Sequence, residues 1–463
     1  MVGGSTTTRE YIVIIALQLT VVLACLVLGT RFKGMGLGLI SGFGLVILIF
    51  VFKLVPGEPP IQVMLTILAV IGCAATLQAA GGLDVMMRYA EKLLRKHPKH
   101  ITILAPLTTW LLTFLCGTGH VVYTMFPIIE DIALSKNIRP ERPMAVASVA
   151  AQVGITASPV SVATVTLVTV LAANPLANGH IITLPQVLMV SIPASLCGVI
   201  VAALWSMRRG KDLDKDPEFQ ELIADPERRD YVYGGGLTLL DRVMPKSAYR
   251  STIFFFAAII VVVILGAFAN LRPAWANDAG KMVPLSMNLV IQVLMLVAGA
   301  LILIFCAVKS SSIPDTAVFK AGMVAIFAVF GVAWMSETFF HAHLDEFTAS
   351  LTGLVQSYPW TFAIALFLVS KLVNSQAAAL TVMAPIGLKM GLDPVLLVGF
   401  FGASYGYWVL PTYPSDLACI GFDRTGTTRI GKFVVNHSFF VPGFLAVLTS
   451  VLVGSGLAVT LLR

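Results

Sequence analysis

Two short polar breaks inside long apolar runs hold the residues best suited to chemistry. The first is Cys116-Gly117-Thr118-Gly119-His120. Its two glycines allow a tight turn with exposed backbone, and the Thr118 hydroxyl can cap the free N–H groups of a helix that starts just beyond it. The second is Asn374-Ser375-Gln376, with a helix start from Ala377 onward. Three consecutive amide or hydroxyl groups deep in an apolar stretch need partners. A helix N-terminus carries about half a positive charge and binds carboxylates without a full cation. Two such ends facing each other suit an anion with two carboxylates. Close helix packing through the glycines is the competing reading.

Two proline-broken stretches add a second layer: Gln152-Val153-Gly154-Ile155-Thr156-Ala157-Ser158-Pro159 and Pro411-Thr412-Tyr413-Pro414-Ser415-Asp416. Proline removes an N–H and unwinds the helix, which frees carbonyls and hydroxyls to face a cavity; a plain kink is the alternative. The candidate binding set is therefore Gly117, Thr118, Gly119, His120, Ser158, Pro159, Asn374, Ser375, Gln376, Thr412, Pro414 and Ser415. Asp416 stands out, because an acid at the centre of a membrane helix costs about 2.5–3.5 kcal/mol on insertion. A coupling cation, a proton or an internal partner such as Lys371 would offset that, unless Asp416 sits near the interface. Lys371 is that partner or a snorkelling side chain, and His120 either titrates or donates a hydrogen bond. Glu91 and Arg95, four apart on a surface helix, and Arg139 and Arg142 at the exit of the apolar run that holds the first turn form an anion vestibule or else a surface ion pair and charge anchors.

The elements that must position these groups follow from composition. Of 463 residues 57% are hydrophobic and only 12% charged, and the mean hydropathy is +0.89. A soluble domain carries about twice that charged fraction, so the chain is an all-α polytopic membrane protein. Apolar runs mark spans at 11–29, 35–53, 61–80, 144–173, 184–206, 251–270, 284–308, 318–340, 394–422 and 436–461. The runs 101–135 and 358–392 are too long for one span and polar near the middle, and read as re-entrant hairpins. Ten spans plus two hairpins, with both termini outside, put most of the 31 Lys and Arg on the cytoplasmic side. Residues 1–206 and 251–463 then each read as three spans, a hairpin, a broken span and a final span. The halves start on opposite sides, which is an inverted-topology repeat, the architecture of alternating access around a midplane site. Between them, 207–250 holds nine basic and nine acidic residues and reads as a solvated cytoplasmic linker or a regulatory docking site.

Other classes fall away. The six cysteines are scattered singly and suggest neither a disulfide frame nor a metal site. His341 and His343, beside Asp345 and Glu346, lack a backing ligand pattern. The net charge of +7 comes without a basic patch interleaved with aromatics, so nucleic acid is not expected. No P-loop suggests an ATP-driven pump, and no local nucleophile–base motif suggests an enzyme. An anion channel is the rival to a carrier. The first apolar run lacks a fitted cleavage site and reads as a span, not a signal peptide. Gly34, Gly38 and Gly42 read as a close-packing face, a candidate dimer scaffold. No cofactor is expected beyond a coupling proton or sodium ion, and the remaining partner is membrane lipid.

The runs Ala75-Thr76-Leu77-Gln78-Ala79, Gly117 to Thr124, Asn137 to Pro143, Ala157-Ser158-Pro159-Val160-Ser161, Asn374 to Leu380 and Pro411 to Leu417 resemble those of the Dcu family of anaerobic C4-dicarboxylate transporters. The resemblance extends over nearly the whole chain, including Gly210 to Asp216. It implies exchange of fumarate for succinate and uptake of aspartate, malate or fumarate across a bacterial inner membrane. It also implies a homodimer with a fixed scaffold and a mobile, elevator-like transport domain. Some members of the family partner a membrane sensor kinase, a role the linker or the Asp416 region could serve.

Overall fold

The computed structural model describes residues 8–32, 35–59, 61–177, 179–234, 238–276, 282–343, 353–410, 413–431 and 436–463. The first half runs through α1 (Thr8–Arg31), α2 (Gly36–Val46), α3 (Ile61–Ala79), α4 (Gly82–Lys96), α5 (Ile101–Cys116), α6 (Val122–Leu134), α7 (Glu141–Val153), α8 (Val162–Ala173) and α9 (Leu184–Ser206). Two short helices, α10 (Pro217–Leu222) and α11 (Pro226–Tyr233), lie in the linker. The second half holds α12 (Lys246–Ala267), α13 (Met287–Phe305), α14 (Ala317–Ala328), α15 (Trp334–Ala342), α16 (Trp360–Val373), α17 (Gln376–Lys389), α18 (Pro394–Gly399), α19 (Pro414–Phe422) and α20 (Phe440–Leu461).

Among the described residues five helices are long and apolar enough to cross a membrane: Pro98–Cys116, Glu141–Ala173, Leu184–Ser206, Lys246–Gly266 and Phe440–Leu461. Two more candidates are bent pairs, Met64–Ala79 with Gly82–Lys96 at 70° and Pro394–Val409 with Pro414–Phe422 at 55°. Other expected spans include the shorter apolar helices Val13–Leu26, Gly38–Val51 and Leu289–Phe305, while Trp360–Lys371 lies in the first arm of the second expected hairpin. Two π-helical turns stand among the described helices. A π-helical turn, Ile47–Val51, ends the α2 segment, and another, Val329–Ala333, separates α14 from α15. Gly331 lies so close to Gly38 that a Cβ there would overlap the Gly38 carbonyl. Gly38 therefore packs within the chain, whereas Gly42 faces open space and Gly34 lies outside the described residues.

Both proline breaks have the same local origin. The residue before proline is pushed out of the helical region, and Ser158 and Tyr413 are extended, at ψ 127° and 140°. Between α7 and α8 the chain passes through a 3-10 turn, Gly154–Ala157. Between α18 and α19 it passes through two, Phe400–Ser404 and Tyr407–Val409. The final helices α9 and α20 pack along each other, with Gly198 set against the Ala446 carbonyl.

Two features add to the sequence reading of a helical protein with a surface linker. The protein is not purely helical: Ala274–Ala276 and Met282–Pro284 form a small antiparallel ribbon with Trp275 opposite Val283. The three-residue strands lie in a polar connection too short to show a period of two. The linker is not simply solvated either. Leu213, Phe219 and Val232 are buried in a small cluster with Leu134 at the end of α6, and Leu213 N–H donates to the Asn137 carbonyl at 2.8 Å.

Candidate functional site

The hairpin tips are built alike. The first arm α5 ends at Gly117 in the left-handed region (φ +73°). Thr118 then turns extended and its side chain accepts from His120 N–H at 3.3 Å. The arm α16 ends at Asn374, also left-handed (φ +49°), and Ser375 accepts from Ala378 N–H at 3.3 Å. Each tip thus presents a hydroxyl-capped helix start, and each return arm carries a proline, Pro127 or Pro385.

The first tip is wedged against the first broken span. A Cβ on Gly117 would stand 2.9 Å from the Val160 carbonyl oxygen, and one on Gly119 would stand 2.5 Å from Gln152 Nε2. Ser158, beneath it, is fully buried and accepts from Val160 N–H at 3.4 Å; Pro159 follows at the break. The His120 ring stacks on Tyr123 with centroids 5.7 Å apart. At the second tip Lys371 Nζ donates to Asn374 Oδ1 at 3.3 Å and to the carbonyls of Tyr407 and Leu410 at 3.4 and 3.3 Å.

A buried polar seam joins the two halves. Ser148 and Gln152 are four apart on α7 and so share a face. Ser148 Oγ donates to Asp416 Oδ1 at 2.8 Å and to Ser415 Oγ at 3.2 Å. Gln152 Nε2 donates to Ser415 Oγ at 3.5 Å. Ser148, Ser415 and Asp416 are all buried, and Asp416 Oδ2 is buried without a hydrogen-bond partner among the described residues. Pro414 opens α19, where its missing N–H is harmless, and places Ser415 and Asp416 in the first turn. Thr412, like Pro411, lies outside the described residues.

The structure therefore brings Gly119, Gln376, Ser415 and Asp416 onto α7, while Gly117 and Ser158 both lie against Val160 beyond its end. Sequence reading did not single out Ser148 or Tyr407; the four-residue spacing of Ser148 and Gln152 in an alanine-rich helix was the available signal.

The four vestibule residues are engaged in ion pairs and hydrogen bonds. Glu91 is fully buried, and its carboxylate accepts from Arg95 Nε, the Thr238 hydroxyl and Leu239 N–H, each at 2.7 Å. It anchors the tail of the linker. Arg139 pairs with Glu141 at 2.8 Å and with Asp216, while Arg142 pairs with Asp212 at 2.6 Å. Glu141 also holds Arg209 at 2.9 Å. Burial lowers the Arg209 pKa from its ordinary value, with Glu141 pulling against that shift. Arg139, Glu141, Arg209, Arg429 and His437 line a cavity of about 460 Å³ whose arginines already face carboxylates. Nearby, Arg424 Nε binds Glu130 at 2.8 Å and its far nitrogen binds Asp131 at 3.0 Å. Burial opposes the Arg424 charge, but these two acids outweigh it and raise its pKa. Among the described residues no group of three His, Cys, Asp or Glu could hold a metal.

A family model described as "Anaerobic c4-dicarboxylate membrane transporter" matches residues 14–462. The chain is 54% identical over 438 residues to the anaerobic C4-dicarboxylate transporter DcuB of Shigella flexneri, covering 95% of this chain and 97% of that one. It is 38% identical over 443 residues to the C4-dicarboxylate transporter DcuA of Wolinella succinogenes, covering 94% and 97%. Two solved structures share the fold. MtrF of Neisseria gonorrhoeae superposes with a TM-score of 0.55 at 13% identity over 96% of this chain and 94% of that one. The YdaH transporter of Alcanivorax borkumensis does so with a TM-score of 0.53 at 16% identity over 96% and 97%.

Proposed function

Because the chain belongs to the family of anaerobic C4-dicarboxylate membrane transporters, we propose that it exchanges C4-dicarboxylates across a bacterial inner membrane by alternating access. It is a transporter rather than an enzyme. Fumarate, succinate, malate and aspartate are its substrates in this reading, with fumarate entering against succinate. The family match over residues 14–462 carries the substrate class. For the site, the carrying observation is that both hydroxyl-capped helix starts sit beside one buried seam containing Asp416.

In the mechanism, each carboxylate of the substrate meets one tip, where free N–H groups and the positive helix end offset its charge. The hydroxyls of Thr118 and Ser375, now capping their own helices, lie within the same turns. Asp416, with one oxygen held by Ser148 and the other without a partner among the described residues, is the group on which a coupling proton or sodium ion would act. The two halves serve as inverted repeats with both termini outside. The hairpins and broken spans travel together as an elevator-like domain in a homodimer whose scaffold includes the early spans. A sensor kinase is a further partner in this reading, met through the linker.

The test is uptake of labelled fumarate into proteoliposomes with and without internal succinate. Rapid uptake only into succinate-loaded vesicles is expected. Equal uptake into empty vesicles would replace exchange by net uptake, and no uptake of any C4-dicarboxylate would overturn the substrate reading.

A further inference from the structure

Gln152 is the point where the two halves of the chain interlock. Its backbone carbonyl accepts from Gln376 Nε2 at 2.8 Å. Its Oε1 accepts from the Tyr407 hydroxyl at 2.9 Å, and Tyr407 in turn accepts from Gln376 Nε2 at 3.4 Å. The other end of the Gln376 amide accepts from Ser404 Oγ at 3.4 Å. Gln152, Gln376 and Tyr407 are all buried, so every one of these bonds is made away from water.

The consequence for Gln376 is specific. Both ends of its amide are taken by the protein, and turning it toward a ligand would break its buried bonds to the Gln152 carbonyl, the Tyr407 hydroxyl and the Ser404 hydroxyl. A polar group at a hairpin tip that is fully engaged inside the protein is a fastening rather than a ligand contact. The neighbouring Ser375 and the N–H groups of the α17 start are left to meet an anion. The fastening runs from the second tip to α7, the same helix that holds Ser415 and Asp416 through Ser148 and lies under Gly119 of the first tip.

We propose that Gln152 and Tyr407 are positioning residues: with Gln376 they clasp the second hairpin tip to the first broken span and so fix the relative placement of the carboxylate-binding groups. The inference rests on the transport site described above and assigns residues that act through others in it. A ligand meeting a clasped tip finds its partners already placed, so losing the clasp weakens binding more than turnover.

The experiment uses the purified full-length protein, with succinate binding followed by calorimetry and fumarate–succinate exchange measured in proteoliposomes. Tyr407→Phe keeps the ring and removes only the clasp hydroxyl. It is expected to raise Kd and KM for succinate about tenfold while the maximal rate stays within about twofold. Gln152→Ala, or the bulkier Gln152→Met if the alanine variant does not accumulate, should act alike. The double variant should be no worse than the worse single one, because both cut the same clasp. Multiplying effects, an unchanged Kd in Tyr407→Phe, or a lower maximal rate at constant KM would overturn the clasp. Wild-type protein that neither binds nor carries succinate would instead overturn the site reading itself.

Discussion

At the first hairpin the chain turns through Gly117 at φ +73° and caps with Thr118; at the second it turns through Asn374 at φ +49° and caps with Ser375. The backbones match, but the fastenings differ. The first tip is held by close approach, its glycines set directly on Val160 and Gln152. The second is held by side-chain hydrogen bonds from Lys371 and Gln376. The return arms differ in the same sense. Glu130 and Asp131 near the end of α6 are locked to Arg424 by partly or fully buried ion pairs. The exit of the second hairpin carries Asp393, paired at 3.1 Å with a largely exposed Arg463. Contacts that depend on the absence of a Cβ cannot loosen by degrees, whereas hydrogen bonds can be exchanged one by one. The second tip is therefore the one whose fastening can be cut bond by bond.

The largest effect should come from the lock on the first hairpin. Arg424→Ala leaves the Glu130 carboxylate buried with only the residue 424 backbone N–H beside it. Removing one partner of a buried pair costs several kcal/mol, and about 3 kcal/mol is expected here given that surviving donor. Thermal melting in detergent checks it. Double replacement by Glu130→Gln and Arg424→Ala should recover part of the loss, and an unchanged melting temperature in the single variant would remove the contrast between the two exits.

Next come the tips themselves. Gly117→Ala places a side chain in the left-handed region, at about 1–2 kcal/mol, and also drives a Cβ to 2.9 Å from the Val160 carbonyl. Exchange should fall more than tenfold. Asn374→Ala meets the backbone strain and loses the Lys371 contact but drives no new Cβ into a neighbour, so it should be milder, while Asn374→Gly removes the strain and loses only the Lys371 contact. If Asn374→Ala proved as damaging as Gly117→Ala, the second tip would be wedged like the first. The caps are a smaller matter: Ser375→Ala should cost about 1 kcal/mol, read as a lower melting temperature and weaker succinate binding.

Some of this was legible in the chain. Both hairpin turns and both proline breaks stand where the polar and glycine interruptions put them, because φ preference and the missing proline N–H are local properties. The partners were not legible. Arg424 meets Glu130 across 294 residues, and Ser148 meets Asp416 across 268. Nothing in the local pattern around either acid names its partner. The docking of the linker was hidden for another reason: Leu213, Phe219 and Val232 are isolated apolar residues in a charged stretch, and only folding gathers them onto Leu134. Glu91 was visible as half of an i,i+4 pair with Arg95, but its capture of Thr238 and Leu239 was not.

The smallest effect is the one that would sharpen the comparison most. Arg463 and Asp393 form an ion pair whose side chains are 57% and 33% exposed, and such pairs contribute about 0–1 kcal/mol. Asp393 has another task, since it caps α18 by accepting from Val395 N–H at 2.9 Å. Arg463→Ala should therefore leave melting temperature and exchange rate nearly unchanged, and raising the salt concentration should remove what little effect remains. Asp393→Ala should cost more, about 1 kcal/mol, through the lost cap. If Arg463→Ala instead lowered the melting temperature to the degree expected of Arg424→Ala, the second hairpin would be tied at its exit as firmly as the first. The difference between the hairpins would then have to reside in the tip hydrogen bonds alone, which makes the Tyr407–Gln152 clasp its controlling contact.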